Sequence, residues 1–210
     1  MKKVLLTFII GILIFSCSAT KTGKEKTRYF DENNVEISKS EFNKSRTNRN
    51  LIRIQNDSLN TITLTKREVR GKINNKKELD DLLNRATNTN LDSTKPTVII
   101  YYMGKDPYNS GGGFVDKQWM QNWKNDLENG LNQIAGVKPF YLYKDYNGLK
   151  KHEGIIPWNK DPENQIAELF FKHKYPWLSF VVISKNGDYI SRFGEFTLDY
   201  VWEATQIMNK

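Results

Sequence analysis

The stretch Leu178–Thr197, LSFVVISKNGDYISRFGEFT, decides the fold. Two runs rich in β-branched and aromatic residues flank Asn186-Gly187, a dipeptide suited to the positive φ angles of a tight hairpin turn. Gly194 and Thr197 then lead into LDYVWEATQIM, which places Leu198, Val201, Trp202 and Met208 at helical spacing. A hairpin followed by a helix is therefore expected to close the chain.

Reading backwards adds the partners of that hairpin. DPENQIAELFFKHKY predicts a helix opened by Asp161 as N-cap, with Pro162 at its first position. VKPFYLY reads as a strand, and KQWMQNWKNDLENGLNQI as an amphipathic helix turning Trp119, Met120, Trp123, Leu127, Leu131 and Ile134 inward. Thr97–Met103 is a short β-branched and aromatic strand. Asn75 caps KKELDDLLNRA, whose Leu79, Leu82, Leu83 and Ala86 share one side, with Glu78 three residues past the cap. From Ile62 onward the order is β-α-β-α-β-α-β-β-α. A β-α-β unit crosses right-handed, so the fold class is α/β, a mixed central sheet flanked by helices on both faces.

Ahead of this unit the chain is β-rich and basic. RYFDENNVEISKSEF predicts a hairpin around Asn33-Asn34, and LIRIQNDSLNTITLT a second one around NDSLN. The polar stretch SEFNKSRTNRN receives no assignment. From Ser18 to Lys95 there are 17 Lys and Arg against 11 Asp and Glu, whereas Pro96–Lys210 has 13 of each. The excess behind the net charge of +8 thus sits in the first half, where it suits anionic headgroups as well as a plain solvated surface. Nucleic acid is not expected as a partner.

The extreme N-terminus supplies an address. Lys2 and Lys3 precede an apolar run, Val4–Phe15, too short for a comfortable bilayer span. Its end, IFSC, resembles the lipobox of bacterial lipoproteins, which implies cleavage before Cys17 and lipid attachment to it. Residues 1–16 are then the signal peptide and 17–27 a lipidated tether of small, polar and charged residues. Residues 28–61 form the β-rich segment, and 62–210 the α/β domain. In lipoproteins of the enteric type, SATK after the cysteine, without aspartate, resembles those carried to the outer membrane, facing the periplasm.

The element order from Ile62 to Lys210, and SFVVISKNGDYISRFGEFT feeding a last helix above all, resembles a thioredoxin-like domain. That resemblance implies a Cys-x-x-Cys motif after the first central strand and a cis-proline just before the final hairpin. Here the first place holds GKDPYNSGGGF and the second holds Ser179, with Pro176 three residues too early. The chain has one cysteine, Cys17, which the lipobox claims. Disulfide exchange needs a thiolate and is excluded for the domain.

Other chemistries find little support. Gly111-Gly112-Gly113 is followed by Phe114-Val115-Asp116 rather than by the lysine and hydroxyl of a phosphate cradle. His152 and His173 are isolated, so neither a metal nor another cofactor is expected. Glu195 reads as a solvated residue ahead of a helix. By resemblance, three segments meet at one end of the sheet, residues 104–114, 175–179 and 193–196, joined there by the connection 144–161. Family members hold an extended peptide in that groove, which here would be lined by Tyr108, Trp158, Trp177 and Ser179.

The expectation is a lipid-anchored envelope protein whose redox-inactive domain binds a protein or peptide in an assembly or chaperone-like role. Catalysis remains open, with the balance against it. The alternatives are a non-thiol enzyme or small-ligand binder using loop 104–114 with His152, and an immunity or scaffold protein that binds through its N-terminal segment.

Overall fold

The computed structural model describes residues 26–45, 47–105, 116–150, 153–173 and 178–210. It is a mixed α/β structure with two mixed sheets. The expectations attached to Cys17, Tyr108, the glycine run, His152 and Trp177 fall outside the described residues.

The smaller sheet begins with the hairpin β1 (Arg28–Phe30) and β2 (Glu36–Ile37), which pairs Tyr29 with Ile37. Asp31 Oδ1 accepts from the amides of Asn33 and Val35, and Asn34 takes the left-handed conformation that asparagine tolerates. The unassigned polar stretch contains helix α1 (Lys39–Ser45). Its start is a capping box: Ser38 Oγ accepts from the Glu41 amide, and the Glu41 carboxylate accepts from the Ser38 amide. β3 (Leu51–Asn56) and β4 (Thr61–Lys66) form the second hairpin, and β1 adds to β4 in parallel, giving the order β2-β1-β4-β3.

Ile62, where the sequence places the start of the α/β unit, lies within β4 of the small sheet. The large sheet starts instead at β5 (Glu68–Lys72), EVRGK. Such a charged segment has no apolar alternation to announce it. It is a strand because it pairs with a neighbour along its whole length.

The large sheet continues through α2 (Lys76–Thr87), β6 (Thr97–Tyr102), α3 (Lys117–Ala135), β7 (Phe140–Tyr143), β8 (Asn159–Lys160), α4 (Gln165–Phe170), β9 (Leu178–Ile183), β10 (Asp188–Arg192) and α5 (Leu198–Met208). Its order is β5-β10-β9-β6-β7-β8, with β6, β7 and β8 parallel and β9 antiparallel to β6 and β10. β6 is buried on both faces from Thr97 to Tyr101, which explains its unbroken apolar run. One face packs with Leu79 and Leu83 of α2, with Phe170 and Phe171, and with Ile52 of the small sheet. The opposite face packs with Leu127 and Leu131 of α3 and with Val201 and Ala204 of α5.

α3 and α5 meet where Gly130 lies under the Trp202 indole. A Cβ at Gly130 would collide with Nε1 of the Trp202 indole, so the approach depends on its absence. The burial of α3 is concentrated in Leu127 and Leu131, near this crossing. Trp119, more than two turns earlier, is 52% exposed rather than inward-facing. Among the described residues, no helix is long and apolar enough to cross a membrane.

Asp161 also departs from expectation. A single 3-10 turn follows it, Glu163 and Asn164 take left-handed conformations, and α4 begins at Gln165. The Asp161 carboxylate still caps α4 from that distance, accepting from the amides of Ile166 (3.0 Å) and Ala167 (2.9 Å). It also accepts from the Tyr101 hydroxyl at 2.7 Å, and the residue is 1% exposed. Hydrogen bonds to a buried charge are worth about 1.5–3 kcal/mol each, and losing an acceptor strands its donors. Asp161→Ala, which removes all three bonds, should lower the unfolding free energy by at least about 4 kcal/mol in urea titration, whereas Tyr101→Phe, which keeps the cap, should cost about 1.5 kcal/mol.

Candidate functional site

In open α/β sheets ligands favour the carboxyl ends of the parallel strands. Here that end is where β6 and β7 run out, beside the start of β9 and the turn after β10. Tyr102 is its central side chain. Its hydroxyl donates to the Asn147 carbonyl at 2.7 Å, and burial followed by the Asp145 charge raises its pKa. The Asp145 carboxylate accepts from the Asn147 amide at 3.0 Å, folding the connection back over the strand ends.

Trp158 packs edge-on against Tyr141, with ring centroids 5.6 Å apart, and lies 6.2 Å from Tyr102. Tyr102 in turn pairs across the ladder with Leu178, which packs in the same cluster as Trp158. These side chains therefore share the α3/α5 face. Ser179 sits one residue on and pairs with Tyr101, so it turns to the opposite face. It is 4% exposed, and its hydroxyl accepts from the Gly194 amide at 3.0 Å. The structure thus brings Trp158 and Ser179 to one end of the sheet but not to one surface. Tyr108 and Trp177, the other two candidates, are outside the described residues.

The turn after β10 is held from several sides. Arg67 accepts at its carbonyl from the Phe193 amide (2.9 Å) and donates from Nη1 to the Glu195 carbonyl (3.1 Å). Phe193 packs with Phe171 and His173 on one face, while Phe196 meets Phe180 and Trp123 on the other. Arg192 is buried, its guanidinium 3.9 Å over the Tyr200 ring, and burial lowers its pKa. Neither arginine stands out from the sequence alone. The cue was a charged residue at the end of an apolar strand, and only cross-strand register gives it meaning.

Glu195 is exposed, as expected. Among the described residues, no three His, Cys, Asp or Glu side chains gather as metal ligands. Among the described residues the arrangement offers rigid aromatic surface and fixed backbone. In comparison with known proteins, no family model and no curated protein matches the chain.

His173 is half-buried, and burial, then the neighbouring Lys172 charge, lowers its pKa from 6.5. The unfolded chain then binds the proton more readily than the folded one. The resulting stability is complete above the ordinary histidine value and is lost as pH falls through the lowered folded value. Urea midpoints taken at about pH 7.5 and about pH 5 should therefore converge in His173→Gln relative to the parent chain.

Proposed function

We propose that the chain is a lipid-anchored cell-envelope protein whose α/β domain is a redox-inactive, thioredoxin-like module that binds a protein or peptide partner. The observation that carries this reading is the Ser179–Gly194 hydrogen bond. By resemblance, a redox domain would have its cis-proline at the position of Ser179. Here a buried serine ties the start of β9 to the turn before α5, which makes that end of the sheet a fixed platform. Trp158 and Tyr102 flank that platform with large, stiff surface, the kind that dominates protein recognition.

The lipobox-like IFSC and the single cysteine support the address, and the final hairpin and its helix support the family resemblance. The partner would lie along the sheet end, contacted by Tyr108, Trp158 and Trp177. Lipid at Cys17 would hold the protein to a membrane, with an outer-membrane position facing the periplasm as the specific expectation.

The test is capture in cells with a photo-reactive residue at Tyr108, compared with the same probe at Lys210. A discrete protein adduct at Tyr108 and none at Lys210 is the expected outcome. Trp177→Ala should then reduce capture by about tenfold or more, as loss of a recognition hot spot does, with cooperative melting retained. Blank lanes at both positions would defeat the peptide-binding reading, and failure of Cys17→Ser to release the protein from membranes would defeat the anchor.

A further inference from the structure

β5 forms one edge of the large sheet, with β10 beside it. Two backbone bonds fix the phase of that ladder: the Phe193 amide donates to the Arg67 carbonyl, and the Ile73 amide to the Gly187 carbonyl. Hydrogen-bonded and non-hydrogen-bonded positions alternate along an antiparallel pair. Positions 67, 69, 71 and 73 therefore face β10, whereas Glu68, Arg70 and Lys72 turn their N–H and C=O groups outward. The strand is exposed from Val69 to Lys72, and among the described residues nothing pairs with these outward groups. An open row of this kind is a template for another strand.

Side-chain chemistry selects which strand. Glu68, Arg70 and Lys72 share one face, and Val69 and Gly71 the other. Charges of one sign would repel a copy of the same edge, but Glu68 and Arg70 are opposite and both outward-facing. Turned about a two-fold axis through Val69, the segment Glu-Val-Arg is its own complement. Each Glu68 then meets the partner's Arg70, and four backbone hydrogen bonds form at these two positions. Val69, 37% exposed in the single chain, meets the partner's Val69 in a non-hydrogen-bonded pair, where side chains approach closest. Glu68 is already steadied by Arg70 Nε at 2.9 Å and by Arg192 Nη1 at 3.9 Å, so it needs little ordering. The register centred on Arg70 would oppose two guanidinium groups instead.

We propose that the chain forms a homodimer by antiparallel pairing of its Glu68–Arg70 edge with the same edge of a second copy. This surface is separate from the sheet end discussed above and does not depend on its function. The next outward pair would set Lys72 against the partner's Lys66, and the chain leaves the sheet at Arg67, so the ladder stops there. Such a short contact gives a weak, concentration-dependent dimer.

The test uses the full chain carrying Val69→Cys under mild oxidation. A non-hydrogen-bonded antiparallel pair holds its Cα atoms about 4.5 Å apart, inside the disulfide range of about 4.4–6.8 Å. Lys72→Cys and the parent chain, whose one thiol is at Cys17, are the controls. A covalent species of twice the chain mass should form at least about tenfold faster with Val69→Cys than with either control. Adding the exposed Arg70→Glu change should lower that yield about tenfold, by removing both ion pairs and opposing two carboxylates. Equal yields at positions 69 and 72, no dimer at 69, or indifference to Arg70→Glu would overturn the proposal. So would an adduct of any other mass, which would give the edge to a different protein.

Discussion

One carboxylate holds three parts of the large sheet and its helices in register. Asp161 receives the Tyr101 hydroxyl from the central strand and the first free amides of α4, all within a core where it is 1% exposed. An anion in such a place is tolerated because its acceptor sites are filled. The same contacts fix the path of the connection that brings Trp158 over Tyr141, and they seat Phe171 against the Tyr101 ring at 4.8 Å. Much of the layer beneath the sheet end is organised by that arrangement.

Around it the sheet separates two chemistries. The α2/α4 face joins the small sheet through Ile52 and carries the Tyr101–Asp161 pair. The other face packs the strands against α3 and α5, carries the Tyr141–Glu128 hydrogen bond, and has Trp158, Trp123 and Phe196 at its margin. Tyr102 and Ser179 stand back to back across that division. A partner at the sheet end would touch aromatic side chains on one side and meet a backbone already committed to Ser179 and Gly194 on the other.

The amphipathic elements were legible because their periods were clear. The Leu79–Leu83 face, the turn at Asn186-Gly187 and the buried run of β6 all appear where their residues require. β5 was not legible: Glu68, Arg70 and Lys72 have no burial pattern, and only β10 makes a strand of them. α1 could have been read from Ser38 and Glu41, a capping pair hidden in polar sequence. Asp161 was recognised as a cap, but the left-handed turn at Glu163 and Asn164 that lets it act at a distance depends on tertiary contacts. The placement of Trp158 and Ser179 on opposite faces rests on strand register, which a single sequence does not encode locally.

The central position of β9 has a consequence for how the chain assembles. β6 is flanked by β7 on one side and by β9 on the other, and the β6–β9 ladder joins residues about eighty positions apart. As the chain emerges from its N-terminus, β6 can find β7 early, but its other edge keeps a row of unpaired N–H and C=O groups on a largely apolar strand until Leu178–Ile183 arrives. α5, which covers the same strands, follows later still. The hydrophobic centre therefore closes near the end of synthesis, and a chain truncated before β9 would present its most sticky strand to solvent.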